Sequence, residues 1–317
     1  METKNCFYKE ERKMIPVKKI DIHAHAVAFP EFYPPFYGRG GQRYLSADEL
    51  IGFYDELNIE KGVLLPISSC EGQPSPMTSE GCAFLAKQHP DRFLWFCGVD
   101  PRTGAHAPTT DLSYFLNHYK SLGALGLGEL TAQLKTDDPM MENLFAHCAA
   151  CKMPVLIHIA TQHGGMYGIE DELGLPRLEK MMKKYPDLIV IGHSQAFWAE
   201  MSGDITEATR GGYPRGKVTS EGRIYEMMRS CPNLYCDLSA GSGMNALRRD
   251  PENASKFIEE FSDRILYGCD ICGTKNKHQY EFDAFLTKMA EDGLISEENY
   301  RKIVRENAIR LLGLEDN

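Results

Sequence analysis

Two histidines, one residue apart, stand at the end of the first apolar run of the chain. The segment DIHAHA covers residues 21–26 and follows VKKI, which has the character of a β-strand. Because successive side chains of a strand point to opposite faces, His23 and His25 are expected on the same side, where their imidazoles converge. Such a pair can bind a metal ion, or it can be polar cover on a half-exposed strand. The rest of the chain must decide between these interpretations.

Further reactive side chains stand at the ends of other strand-like runs. They are Glu129 in ALGLGEL, His158 in PVLIHIA, His193 in LIVIGHS and Asp270 in RILYGCD. A single such histidine is ordinarily a hydrogen-bonded core residue, but four of the ten histidines of the chain at this one level indicate a shared site. Imidazole and carboxylate groups bind Zn2+ well, and they also accept Mn2+, Fe2+, Co2+ or Ni2+. We therefore predict a divalent transition-metal site, with Zn2+ as the first choice.

Eight apolar runs of strand length alternate with segments of helical period. They are residues 18–24, 62–67, 92–99, 124–130, 154–160, 188–194, 233–240 and 264–270. Near-continuous apolar strands that alternate with helices are typical of a parallel sheet covered on both faces. Eight such units predict an α/β protein with a (β/α)8 TIM barrel. Its strands end on one face, where the chemistry of such barrels gathers.

Helix signals support this arrangement. Ser46 and Glu49 form a capping box, while Asp138–Pro139 and Asp250–Pro251 each supply an N-cap and a first-turn proline. The segment SEENYRKIVRENAIRLLG predicts an extra C-terminal helix that ends at Gly313. An open doubly wound sheet is the alternative, but it would normally carry a glycine-rich turn where this chain has HAHAVAFP. We expect one domain over residues 1–317, with a short N-terminal extension at 1–17.

Composition limits the function classes. The 317 residues are 43% hydrophobic and 25% charged, and the formal net charge is −10. An acidic chain is poorly suited to nucleic acid, and the sequence has neither a signal-peptide pattern nor a long apolar stretch for a membrane. We therefore expect a cytoplasmic protein whose partner is a small molecule, and the sequence leaves a homo-oligomer open. The two C-x-x-C pairs lie too far apart in the chain for a zinc ribbon.

The ordered motifs resemble a known family. DIHAHA, VLIHIA, VIGHSQ and LYGCD are similar to the metal-binding motifs of the amidohydrolase superfamily, and PNLYCDLSA and ENAIRLLGL are similar to its amidohydrolase 2 branch, which includes aminocarboxymuconate-semialdehyde decarboxylase. The resemblance spans residues 18 to about 314 and implies a TIM barrel with one or two metal ions. It implies that the metal ligands are His23, His25, His158 and Asp270.

The resemblance also implies roles for two further residues. His193 would exchange a proton with the substrate or polarise it. At strand 4, part of the superfamily has a carboxylated lysine, whereas this chain has Glu129. Glu129 is similar to the strand 4 glutamate of TatD-like nucleases, which touches metal, or it accepts a hydrogen bond from a ligand. The number of metal ions therefore stays open at this stage.

The leading functional hypothesis is a metal-dependent hydrolase that attacks a small amide, ester or lactone with a metal-activated water. Asp270 would take the proton from the water, and His193 would stabilise the oxyanion or protonate the leaving group. The alternative is a lyase, a metal-dependent decarboxylase or hydratase of a small carboxylated substrate. A non-catalytic barrel would be expected to lack a ligand, and none is missing. The charge disfavours a nuclease.

Substrate specificity is expected in the loops that follow the strands. Residues 29–44 contain six aromatic residues together with Arg39 and Arg43, which can form an apolar wall with a cationic rim or remain solvated. Trp198 can line the pocket or pin its loop to the barrel. An arginine near the metal would suit an anionic group such as a carboxylate. The substrate-binding candidates are Trp198, Ser239 and Arg249.

Overall fold

The computed structural model describes residues 16–35, 41–71, 77–275 and 278–315, so Arg39 and most of the expected N-terminal extension lie outside the described residues. Within these ranges the strands are β1 Lys19–Ala24, β2 Ile59–Leu64, β3 Phe93–Trp95, β4 Leu127–Leu130, β5 Val155–Ala160, β6 Ile169–Glu170, β7 Val190–His193, β8 Leu234–Asp237 and β9 Ile265–Leu266. Each apolar run marked in the sequence overlaps one of these strands. β6 is an additional short strand that pairs with the end of β5.

Helices follow the strands along the chain. They are α1 Ala47–Leu57, α2 Ser79–Gln88, α3 Ser113–Ser121, α4 Pro139–Cys151, α5 Pro176–Lys184, α6 Gln195–Ala199, α7 Arg223–Ser230, α8 Ala240–Arg248, α9 Pro251–Phe261, α10 His278–Glu291, α11 Glu297–Arg301 and α12 Asn307–Leu312. The predicted start signals are confirmed: Ser46 and Glu49 form the capping box of α1, and Asp138 and Asp250 cap α4 and α9. No helix in the described part of the chain is long and apolar enough to cross a membrane.

The parallel strands close on themselves through two seams. β1, β2 and β3 form one ladder, and β4, β5, β7, β8 and β9 form the other. Cys97 pairs with Leu127 where β3 meets β4, and Ala24 pairs with Ile271 where the chain after β9 meets β1. At this second seam the backbone N–H of Asp270 donates to the carbonyl of His23 at 2.8 Å. The predicted (β/α)8 barrel is thereby confirmed, and the open-sheet alternative is wrong.

The predicted C-terminal helix closes one end of the barrel. It consists of α11, a π-helical turn at Lys302–Glu306 and α12, and Gly313 ends it with a φ of 63°. Ala308 and Leu312 pack in the same buried cluster as the barrel-lining residues Ile20, Val63, Leu156 and Ile191. This apolar plug lies at the end of the barrel opposite the strand-end histidines.

β2 starts earlier than its predicted run, whereas β3, β4 and β9 are shorter than theirs. β2 begins at Ile59, although its apolar run begins at Gly62. Ile59 pairs with Lys19 at the start of β1, and the intervening Glu60 and Lys61 are only half-buried. The carboxylate of Glu60 also forms an ion pair with the guanidinium of Arg305, with 2.6 Å between the oxygen and the nitrogen. A hydrophobic pattern cannot reveal strand residues that face polar neighbours, which explains the three-residue difference.

Candidate metal centre

His23 and His25 reach the barrel interior because β1 shifts register against β2. Asp21 pairs with Gly62 and Ala24 pairs with Leu64, so three steps along β1 match two along β2. Asp21 points outward to the hydroxyl of Tyr54, and strict alternation would send His23 the same way. The extra residue instead allows Ile22 and His23 both to face inward. The Nε2 atoms of His23 and His25 then lie 3.0 Å apart.

The second nitrogen of each imidazole has its own partner. Nδ1 of His25 lies 3.0 Å from the carbonyl oxygen of Leu65, which can only accept a hydrogen bond. Nδ1 of His23 lies 2.6 Å from Oδ2 of Asp237. Both imidazoles are buried, so these contacts fix the rings as Nδ1–H donors. Each Nε2 therefore faces the same point, where it can bind a metal ion in place of a proton.

Glu129 faces this point from β4. Its Oε2 lies 3.6 Å from Nε2 of His23 and 3.4 Å from Nε2 of His25. Its Oε1 lies 2.5 Å from Nδ1 of His158 on β5. A register shift between Leu127 and Leu130 accompanies this placement. One carboxylate therefore connects the β1 histidines with the β5 histidine.

Asp270 completes the set after β9. Its Oδ1 lies 3.4 Å from Nε2 of His25 and 3.7 Å from Nε2 of His23. Its side chain is 20% exposed, whereas those of Glu129 and the two histidines are at most 3% exposed. Asp270 is therefore the carboxylate of this group that a molecule entering from solvent reaches first.

The six predicted strand-end residues come together in overlapping groups. In each group, the potential ligand atoms lie within 4.8 Å of one another. The groups are His23, His25 and Glu129; His23, His193 and Asp270; and Glu129, His158 and His193. Imidazole nitrogens and carboxylate oxygens at such separations suit a divalent transition metal. The residues present therefore fit the predicted metal ion.

Electrostatics favour a bound cation. Burial opposes a charged His23, yet the negative charges of Asp237 and Asp270 raise the pKa of its imidazole well above the ordinary value. Burial likewise opposes a charged Glu129, but His158 and hydrogen bonds from the β1 histidines hold the pKa of this carboxyl well below its ordinary value. An ionised Glu129 at this buried position attracts positive charge, which a metal ion would supply.

The site opens into a cavity of about 470 Å³. Among the described residues, its lining contains three carboxylates and three tyrosines but no lysine or arginine. The ring of Tyr167 lies 4.2 Å from that of His158, centroid to centroid. The carboxylates are Glu71, Glu129 and Asp270, and the tyrosines are Tyr44, Tyr167 and Tyr213. The cavity thus combines an acidic floor with aromatic walls.

The candidate substrate-binding residues are placed elsewhere. Trp198 is buried, and its indole N–H donates to the backbone carbonyl of Asp237 at 2.8 Å, so it pins its loop to the barrel. Ser239 is fully buried beneath the cavity against His23 and His193. Arg249 lines a neighbouring pocket instead of the cavity above the histidines.

The remaining arginine candidate within the described residues is Arg43. It lies near the start of α1, where its guanidinium pairs with Glu49 at 2.8 Å and is 48% exposed. This pairing occupies the fork of the guanidinium with the same carboxylate that forms the capping box. Arg43 therefore contributes to the start of α1 in addition to remaining partly solvated.

Sequence reasoning missed Asp237 at the end of β8. This fully buried carboxylate lies 2.6 Å from Nδ1 of His23 and 3.3 Å from Nδ1 of His193. Burial would raise its pKa, but the charge of His23 and hydrogen bonds from both imidazoles hold that pKa below its ordinary value. Its position at the end of a strand in NLYCDLSA, level with the other strand-end residues, was the available signal.

Comparison with known proteins gives a family and a fold. The amidohydrolase family model matches residues 20–314. No curated protein gave a sequence match to the chain. Solved structures of similar fold cover nearly the whole chain at low sequence identity.

An uncharacterised TIM-barrel protein from Bordetella bronchiseptica has a TM-score of 0.61 and 18% identity, over 94% of this chain and 99% of that one. A probable 2-pyrone-4,6-dicarboxylic acid hydrolase from Acinetobacter baumannii, with citric acid bound, has a TM-score of 0.57 and 16% identity, over 94% and 100%. A dihydroxybenzoic acid decarboxylase from Polaromonas sp. JS666, with manganese and 2-nitroresorcinol bound, has a TM-score of 0.57 and 18% identity, over 94% and 98%. Relatives of this fold thus include both a hydrolase and a decarboxylase.

Proposed function

The chain belongs to the amidohydrolase family, and from this premise we propose that it is a metal-dependent hydrolase of a small carbonyl substrate, namely an amide, an ester or a lactone. The observation that carries the proposal is the pair of Nε2 atoms of His23 and His25, 3.0 Å apart and facing two carboxylates. This arrangement lies at the floor of an open cavity, where a substrate can reach it.

The proposed cofactor is a divalent transition metal. His23 and His25 would hold it through Nε2, together with Asp270, and Glu129 and His158 would either complete one site or hold a second ion. Mixed nitrogen and oxygen donors suit Zn2+, which we place first. The same donors accept Mn2+, and the similar decarboxylase from Polaromonas contains manganese.

Each proposed catalytic group has a separate task. A divalent ion bound here would lower the pKa of a water molecule and polarise the substrate carbonyl. Asp270, the most exposed carboxylate of the group, takes a proton from the attacking water. His193 is held at Nδ1, so its Nε2 is the nitrogen left to hold a proton for the leaving group. Tyr167 and Tyr213 bound the cavity and exclude part of the solvent.

The charge of the cavity favours hydrolysis of a neutral carbonyl group. Glu129 and Asp270 line it, whereas Glu71 is paired with Arg102 at 2.7 Å, and apart from the proposed metal ion the described lining contains no lysine or arginine that would pair with a carboxylated substrate. A decarboxylase or hydratase remains the second candidate because Tyr44, Tyr167 and Tyr213 give the cavity flat aromatic walls. Such walls suit a planar carboxylated ring.

The test is a reaction panel with isotope-labelled water. The protein, stripped with chelator and reloaded with Zn2+ or Mn2+, is offered amides, esters, lactones and carboxylated aromatics in 18O-enriched water. We expect metal-dependent turnover of a carbonyl substrate with 18O in the carboxylic acid product. Release of CO2 from a carboxylated aromatic, with no hydrolysis of the other compounds, would instead establish the lyase. Purified His23→Ala/His25→Ala protein controls for contaminating enzymes.

A further inference from the structure

One buried carboxylate contacts two imidazoles that have different proposed roles. Oδ2 of Asp237 lies 2.6 Å from Nδ1 of His23, the proposed metal ligand, and 3.3 Å from Nδ1 of His193, the proposed proton-transfer group. Asp237 is fully buried and is not one of the residues that line the cavity. It therefore acts on the reaction through the two histidines and not through the substrate.

Ser239 joins the same network. Its hydroxyl donates to Oδ2 of Asp237 at 2.8 Å, which leaves its oxygen to accept from His193 Nδ1 at 3.1 Å or from His23 Nδ1 at 3.2 Å. Its backbone N–H donates to Oδ1 of Asp237 at 2.7 Å. Since the hydroxyl proton is committed to the carboxylate, both imidazoles must supply their own Nδ1 protons.

We propose that Asp237, with Ser239, is a positioning residue that holds a proton on Nδ1 of both His23 and His193, so that Nε2 is the nitrogen of each ring that faces the metal ion or the substrate. The inference rests on the proposed metal-dependent function, because the tautomer matters for metal binding at His23 and for proton transfer at His193. One carboxylate thereby prepares a ligand and a proton-transfer group together.

The glycine of the LYGCD motif makes room for this carboxylate. A Cβ placed on Gly268 would come within 2.3 Å of Oδ1 of Asp237 and 2.8 Å of Cβ of Ser239. Both contacts are shorter than real Cβ contacts, so an alanine at this position must displace the pair. Glycine is required at position 268 because the carboxylate of Asp237, at the end of β8, lies against it. β8 pairs in parallel with β9, which Gly268 follows.

Asp237→Asn is the decisive variant because the backbone fixes the orientation of the new amide. The N–H of Ser239 needs an acceptor, so the amide oxygen of the asparagine takes the place of Oδ1 and its NH2 group faces His23 and His193. An NH2 donor forces each ring to accept at Nδ1 and to carry its proton on Nε2. The nitrogen that should bind metal is then protonated.

Two measurements follow on the full-length protein. Imidazole 15N–1H correlation spectra of the metal-free protein report the tautomers, and competition with a chromophoric chelator reports Zn2+ affinity. We expect an Nδ1–H signal from His23 and from His193 in the wild type and its absence in Asp237→Asn, where each ring carries its proton on Nε2, together with a loss of Zn2+ affinity of about 10- to 100-fold. Ser239→Ala should alter the His193 signal and leave Zn2+ affinity nearly unchanged, since Asp237 still accepts from His23.

Asp171→Asn is the matched control. Asp171 is also buried, but its carboxylate accepts from the backbone N–H groups of Glu172, Arg177 and Leu178 at the start of α5. This variant should keep wild-type tautomers and Zn2+ affinity. If Asp237→Asn does not fold, Gly268→Ala tests the same point with every polar group retained, and it should also weaken Zn2+ binding.

The outcomes separate the inference from the proposed function. Wild-type tautomers and Zn2+ affinity in Asp237→Asn, or unchanged affinity in Gly268→Ala, would overturn the positioning role. Zn2+ binding and tautomer changes as expected, in a protein that hydrolyses nothing in the panel, would overturn only the hydrolase and leave the positioning role supported.

Discussion

At the scale of single residues, Glu129 is the side chain on which the number of metal ions depends. Its Oε2 faces the Nε2 atoms of His23 and His25, and its Oε1 contacts His158. We expect Glu129→Gln to lower the metal content from two equivalents to one if the carboxylate bridges two ions. If it only orients His158, the metal content should stay the same. Elemental analysis of the two purified proteins measures this difference, and loss of all metal would contradict both alternatives.

His193 and Asp270 test the division of roles at the same scale. His193→Asn should retain the metal while kcat falls by about 100-fold or more, the usual effect of removing one proton-transfer group. Asp270→Asn should both weaken metal binding and keep activity low after metal is added back. His118→Asn, at an exposed site on α3, is the matched control. The assignment is wrong if His193→Asn loses its metal while Asp270→Asn remains active.

At the scale of elements, strand identity could be predicted and strand register could not. Apolar runs placed His158 and His193 on strands, and the structure has His193 at the end of β7 and His158 two residues before the end of β5. The register shifts in β1 and β4 depend on pairing with β2 and β5, whose residues are distant in sequence, so no local pattern announces them. Asp237 was not predicted because its two imidazole partners come from other strands, which are also distant in sequence.

The register of β4 gives an element-scale prediction. Gly128 has a φ of 144°, and a Cβ there would lie 2.7 Å from the carbonyl oxygen of Leu156 on β5. Gly128→Ala should therefore cost about 1–3 kcal/mol of unfolding free energy and, by moving Glu129, reduce metal content. Gly52→Ala in α1 makes the same change where nothing lies within 4 Å, and it should be neutral or stabilising. Urea unfolding of the two variants measures the contrast, and equal stabilities would refute the steric argument.

At the scale of the whole molecule, the closed barrel was predictable because eight repeated units leave few other arrangements. The orientation of the side chains in the long connections was harder to predict from the sequence. Trp198 follows β7 closely in sequence, yet its indole donates to the backbone at the end of β8. Arg249 lies a short distance after β8, yet it lines a neighbouring pocket. The path of these connections depends on packing over the barrel rim, for which short-range periodicity carries no information.

The same closure makes metal binding and global stability interdependent. The proposed ligands from β1, β4, β5 and the chain after β9 meet only in the folded barrel, so a metal ion should bind the native state far better than the unfolded chain. Free metal at about 100 times its Kd should add about 2.7 kcal/mol, which raises Tm by several degrees in a chain of this size. Differential scanning calorimetry of chelator-treated and reloaded protein measures the shift. In His23→Ala/His25→Ala the two samples should melt together, because that variant cannot hold the ion. A metal-dependent shift that survives in the double variant would place the ion elsewhere in the molecule.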